Sequence, residues 1–136
     1  MHESTIEPDR AFVLIVEDDQ DIRDEVRDAL EDRGYAVLEA EDGREALDIL
    51  FADPPPDVRL IVSDLIMPKM SGSEMLQVLS SYSRSSRIPV VVVSVTRPPE
   101  VPKAHERVAD WMIKPFDMNE LLHVVDTRFL STRAAR

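Results

Sequence analysis

Cysteine is absent from this sequence of 136 residues, which excludes a disulfide framework and a thiolate metal site. Its absence fits a reducing cytoplasm, the expected location. No apolar run approaches the roughly 20 residues needed to span a bilayer, so no membrane partner is expected. Met1 to Arg10 are polar and lack the basic start and apolar stretch of a secretory leader. An excess of positive charge is missing as well. The formal net charge of −11 argues against direct DNA binding, because phosphate contacts require a basic face. Internal repeats and low-complexity tracts are also lacking. Apolar residues are plentiful: they make up 43% of the chain, enough for one globular domain with its own core. The expected organisation is a disordered N-terminal tail over 1–10, one domain over 11–130 and a C-terminal tail over 131–136.

Hydrophobic patterning divides this domain into alternating elements. Ala11 to Val16 is a continuous apolar run that ends in Glu17, Asp18 and Asp19, as expected of a strand buried on both faces. Ile22, Val26, Ala29 and Leu30 recur at helical spacing, and Gly34 is a stop signal. Tyr35 to Ala40 predicts a second strand, and Ala46, Leu47 and Leu50 mark a second helix that Pro54, Pro55 and Pro56 terminate. Leu60 to Ser63 predicts a third strand ending at Asp64, followed by a helix over Ser71 to Ser80. The β-branched run Val90 to Val93 predicts a fourth strand, and Trp111 to Ile113 a short fifth one. Asp117 and Glu120 resemble a capping pair for a last helix with Leu121, Val124, Val125 and Phe129. Between the last two strands, Pro98, Pro99 and Pro102 exclude a helix interior, so a helix there is short or irregular, from about Lys103 to Val108. Strand–helix alternation of this kind predicts an α/β fold, a doubly wound five-stranded parallel sheet of flavodoxin-like (βα)5 order.

In such sheets ligands sit beyond the carboxyl ends of the strands. There this sequence places Glu17, Asp18, Asp64, Ser94 and Lys114. Any one of them has a plain reading as a helix cap, a structural hydroxyl or a solvated lysine. Their convergence on one edge is what points to chemistry. Clustered carboxylates repel one another unless a proton or a cation relieves them. Mg²⁺ takes oxygen ligands and suits one or two carboxylates. With it, an aspartate acts as nucleophile toward a phosphoryl group, while Mg²⁺ and an ammonium neutralise the charge on the phosphoryl oxygens and a hydroxyl donates a hydrogen bond.

The stretches Val16-Glu17-Asp18-Asp19 and Asp64-Leu65-Ile66-Met67-Pro68-Lys69-Met70-Ser71-Gly72, then Ser94 after the valine run and Lys114-Pro115-Phe116, resemble the receiver domain of two-component response regulators. The resemblance covers roughly residues 11 to 130. It implies Asp64 as the phosphoacceptor, Asp18 as the direct metal carboxylate, Glu17 acting mainly through water, and the Ile66 backbone carbonyl as a further ligand of Mg²⁺. It implies Ser94 and Lys114 as the groups that contact the phosphoryl oxygens, a usually cis Lys114–Pro115 peptide, and Trp111 as the switch aromatic that turns inward when Ser94 moves. Trp111 otherwise reads as plain packing against the last helix. The implied partner is the phosphohistidine of a histidine kinase or phosphotransfer protein, with a downstream protein target that the sequence does not identify. Such a module is not an enzyme in the ordinary sense, for it catalyses its own phosphorylation and slow dephosphorylation.

Four departures from the pattern stand out. Glu17 replaces the commoner aspartate, Val95 follows Ser94 where alanine or glycine is usual, Trp111 exceeds the usual tyrosine or phenylalanine, and prolines occupy Arg97 to Pro102. The bulk of Val95 is expected to narrow access for small phosphodonors or phosphatases. The altered segment supports one alternative, a phosphorylation-independent receiver-like protein-binding module, which the intact Asp18, Asp64, Ser94 and Lys114 oppose. A haloacid-dehalogenase-type phosphatase needs an aspartate where Ile66 stands. A flavin-binding protein needs a hydroxyl-rich loop where the first strand runs into acids.

Overall fold

Five runs of mostly apolar residues form one parallel sheet in the computed structural model, which describes residues 10–65, 70–82, 85–95 and 108–134. The strands are β1 (Ala11–Val16), β2 (Ala36–Ala40), β3 (Asp57–Ser63), β4 (Val90–Ser94) and β5 (Val108–Ile113), in the order β2-β1-β3-β4-β5. The helices are α1 (Gln20–Asp32), α2 (Gly43–Leu50), α3 (Gly72–Ser80) and α4 (Met118–Ala134).

Period-two alternation sends each strand's side chains to two faces. Leu14, Val16, Ile61, Val90 and Val92 pack with α2 and α3 through Ala46, Leu47, Leu50, Met75, Leu76 and Leu79. On the other face, Val13, Ile15, Leu60, Val62, Val91 and Val93 meet Val26 and Leu30 of α1 and Leu121, Val125 and Phe129 of α4. Both faces are therefore covered, as the unbroken apolar runs predict. Each fully buried aliphatic side chain contributes about 1.5–3 kcal/mol.

Several boundaries differ from the sequence expectation. β2 begins at Ala36, one residue after Tyr35. β3 begins at Asp57 rather than Leu60, because Arg59 in its first half pairs with Asp57 at 2.9 Å and is tolerated there. β5 begins at Val108 rather than Trp111, because Asp110 within it is neutralised by Arg128 of α4 at 2.6 Å. Val108 therefore belongs to a strand and not to the expected short helix, and 103–107 lie outside the described residues. α4 runs to Ala134, past the expected boundary at residue 130. Asp117 accepts the Asn119 backbone N–H at 2.8 Å at the start of α4. The full reciprocal capping box is found at α3 instead, between Ser71 and Glu74.

Candidate functional site

Strand register puts the polar residues side by side. Val16 pairs with Ser63, so Glu17 and Asp64 leave adjacent strands at the same level. The ladder continues one step past each strand. The N–H groups of Glu17 and Asp64 donate to the carbonyls of Ala40 and Val16, both at 3.0 Å, and the Lys114 N–H donates to that of Ser94 at 2.8 Å. Backbone hydrogen bonds thus fix the bases of Glu17, Asp64 and Lys114 before any side-chain contact is considered.

Their side chains then meet. Lys114 Nζ lies 2.8 Å from Glu17 Oε1 and 2.9 Å from Asp64 Oδ2. Glu17 and Asp64 are only 4% and 7% exposed, so the ammonium serves two nearly buried carboxylates. Burial pushes the Glu17 carboxyl above its ordinary value, and the Lys114 contacts and the Asp19 N–H offset this only in part. For Lys114 burial works against the charged form, but the hydrogen bonds and charges of Glu17 and Asp64 outweigh it and raise its pKa. The Lys114–Pro115 peptide is cis.

Asp18 is exposed, yet one of its carboxylate oxygens lies within 4.8 Å of oxygens from both Glu17 and Asp64. Three carboxylates that close form an all-oxygen donor set, which fits a hard divalent cation. Ile66, the expected backbone ligand, lies outside the described residues. Asp19 plays a different part, for its carboxylate accepts the N–H groups of Asp21 and Ile22 and caps α1. The plain helix-cap reading of the acidic triplet therefore holds for Asp19, while Glu17 and Asp18 belong to the cluster.

Ser94 is 1% exposed and its hydroxyl has no hydrogen-bond partner among the described residues. A buried hydroxyl left unpaired costs about 1–3 kcal/mol, which a hydrogen bond to an acceptor would recover. By alternation Ser94 shares the face of Val90 and Val92, and Trp111 packs against that same cluster. The alternative placement of Trp111, against the last helix, is not what the fold adopts: Met112, its neighbour, takes that side. Val95 is 62% exposed and lines an open groove of about 550 Å³ with Lys114, Pro115 and Phe116.

Two features of the site were not anticipated from sequence. Arg23 Nη1 donates to the Glu17 carbonyl at 2.7 Å. Gly72 packs against the backbone that follows β3: a Cβ there would overlap the Asp64 carbonyl oxygen and lie 2.7 Å from Leu65 Cα. Backbone atoms cannot swing aside as a side-chain end can. Gly72→Ala is therefore expected to destabilise the fold by about 2–3 kcal/mol or more. A urea midpoint equal to that of the unsubstituted protein would contradict this packing.

Comparison with known proteins agrees with this geometry. The family model described as the response regulator receiver domain matches residues 13–126. Among curated relatives, the sensor histidine kinase TmoS of Ectopseudomonas mendocina is 38% identical over 83% of this chain and 11% of its own length. The response regulator MprA of Mycolicibacterium vanbaalenii is 36% identical over 81% of this chain and 46% of its own. The chain thus spans less than half the length of either of these relatives. Among solved structures, the chemotaxis response regulator CheY4 of Vibrio cholerae superposes with a TM-score of 0.75 at 32% identity, covering 87% of this chain and 98% of that one. With the family model matching residues 13–126 and Glu17, Asp18, Asp64, Ser94 and Lys114 all at the carboxyl ends of the strands, the chain belongs to the response regulator receiver domain family.

Proposed function

We propose that Asp64 is the phosphoacceptor of this chain and that Mg²⁺ is its cation. Phosphoacceptor function in two-component signalling follows from family membership. The assignment to particular residues is carried by one observation: Lys114 bridges Glu17 and Asp64 on the sheet edge where β4 ends in Ser94, whose buried hydroxyl has no hydrogen-bond partner among the described residues. An Asp64 carboxylate oxygen attacks phosphorus in line, the bond to a partner's phosphohistidine nitrogen breaks, and that nitrogen leaves with the bonding pair. Lys114 pairs with a phosphoryl oxygen, and Ser94 donates to another, recovering the cost of its unpaired state. Asp18 and Asp64 would hold the cation directly, with Glu17 acting mainly through water and the Ile66 backbone carbonyl as a further ligand. Bound Mg²⁺ supplies charge neutralisation for the phosphoryl oxygens. Trp111, on the face of Ser94, adjusts as Ser94 moves, and the altered surface is what a downstream protein reads.

The module is not a classical enzyme; it catalyses its own phosphorylation and its slow dephosphorylation. Its donor is a histidine kinase or phosphotransfer protein. Direct DNA binding is not part of this reading, given the net charge of −11. Among the described residues no helix is long and apolar enough to cross a membrane. We place the chain in the cytoplasm, in keeping with its lack of cysteine. The test is incubation with acetyl phosphate and Mg²⁺. One phosphoryl group per chain by intact mass, with a Mg²⁺-dependent change in Trp111 fluorescence, supports the reading. No uptake from acetyl phosphate or from a phosphorylated kinase overturns it.

The metal assignment has its own check. Mg²⁺ at a hundredfold excess over its Kd is expected to add about 2.7 kcal/mol to stability by linkage. In a chain of this size that raises Tm by roughly 3–5 °C for each kcal/mol. Asp18→Ala is expected to remove most of the rise, and an undiminished rise sinks Asp18 as a ligand.

A further inference from the structure

We propose that Arg23 is a positioning residue that sets the cation affinity of the acidic site. It holds the peptide plane between Glu17 and Asp18, while Glu39 holds its guanidinium in turn. The inference rests on the metal reading above and concerns a residue that makes no contact with the cation.

A cation in the first turn of a helix opposes the helix dipole, at a cost of about 0.3–1 kcal/mol. Arg23 stands there, and its own N–H donates to the Asp19 carbonyl at 2.9 Å. Its side chain folds back over the turn and is 15% exposed. Nη1 donates to the Glu17 carbonyl at 2.7 Å, and Nε donates to Glu39 Oε1 on β2 at 3.3 Å. The shorter bond goes to the backbone. Were the Glu39 pair the whole purpose, Arg27 would serve, since it reaches the same carboxylate at 3.4 Å without touching Glu17.

The rest of Glu17 is anchored as well. Its N–H donates to the Ala40 carbonyl, and its carboxylate accepts from Lys114 and from the Asp19 N–H at 3.1 Å. Asp18 is the exposed member of the cluster, and its orientation is inherited from the peptides on either side. On the N-terminal side that peptide is the one whose carbonyl Arg23 grips. Partners outside the ligand set commonly change metal affinity by about 10- to 100-fold. Without Arg23 the Glu17–Asp18 peptide is free to rotate, and the Asp18 carboxylate loses its fixed approach.

The sign of the effect separates positioning from charge. Removing a cation beside three carboxylates would, by Coulomb's law alone, tighten Mg²⁺ binding. Positioning predicts weaker binding. In the test, Mg²⁺ is titrated into the unsubstituted protein, Arg23→Ala, Arg23→Lys and Arg27→Ala while Tm is followed. Affinity is taken from the metal-dependent increment, so a lower metal-free Tm does not enter. Arg23→Ala is expected to weaken Mg²⁺ about 10-fold or more, Arg23→Lys to recover part of the loss, and Arg27→Ala to leave affinity unchanged. Equal or tighter binding by Arg23→Ala, or an equal loss in Arg27→Ala, overturns the proposal. If Arg23→Ala gives no cooperative melt, Glu39→Gln takes its place: it is expected to weaken Mg²⁺ several-fold, and unchanged affinity overturns the proposal. No increment in the unsubstituted protein would overturn the metal reading and this inference with it. A normal increment there with an unaffected Arg23→Ala overturns the inference alone.

Discussion

Asp64→Asn is expected to abolish phosphoryl uptake from acetyl phosphate and Mg²⁺, and with it the change in Trp111 fluorescence. The carboxamide has nearly the shape of the carboxylate but lacks the anionic oxygen that attacks phosphorus. The loss should therefore be all or none by intact mass and not a matter of degree. Folding should survive, because the substitution removes one of three carboxylates whose oxygens lie within 4.8 Å of one another. Relief of that repulsion is expected to leave metal-free stability equal or higher. Function is thus lost while stability is kept, which separates a lost nucleophile from a damaged fold. Undiminished uptake by Asp64→Asn would place the acceptor elsewhere. Val95 stands exposed in the groove beside Lys114, so a phosphorylated histidine kinase should be tried beside the small donor.

The sheet edge was legible because the apolar runs end so sharply. Val16 gives way to Glu17, Ser63 to Asp64, and Ile113 to Lys114, and a buried parallel strand has no other reason to stop in charge. Topology then brings the ends together. Charged residues inside strands were what concealed their true lengths. Arg59 and Asp110 read as loop residues by propensity, yet each has a partner, Asp57 within β3 and Arg128 across on α4. Neither pairing can be read from spacing alone. The capping box at α3 is a different case. Ser71 and Glu74 stand three residues apart before Met75 and Leu76, so the signal was present in the sequence. The Arg23 contact left no such trace, because its acceptor is a backbone carbonyl and every residue has one. The burial of Ser94 without a partner among the described residues also depends on packing from both faces, which no linear pattern reports.

Lys114→Met is expected to destabilise the metal-free protein by about 3 kcal/mol at neutral pH, the lower end for removing one partner from a buried ion pair. The lower end applies because the Lys114 side chain retains 14% exposure. What remains is Glu17 and Asp64 side by side, both nearly buried, with no ammonium between them. Burial already holds the Glu17 carboxyl above its ordinary 4.5, and the Lys114 hydrogen bond and charge are among the influences lowering it. Removing them raises it further. A carboxyl whose folded pKa exceeds its unfolded one favours folding below the unfolded value, and that contribution is lost as pH rises through the folded value. The gap between Lys114→Met and the unsubstituted protein should therefore be small near pH 4.5 and widen toward neutrality. At the alkaline end the sign reverses. The Lys114 pKa is raised, so its contribution is complete below its ordinary 10.5 and fades as pH climbs through the folded value, closing the gap again. Mg²⁺ should narrow the neutral gap by replacing the missing charge, while phosphoryl uptake stays impaired for want of the ammonium. Urea unfolding across this pH range, with and without Mg²⁺, measures all of it. A gap of constant size from acid to alkali would mean that Lys114 acts through packing and not through the two carboxylates it touches.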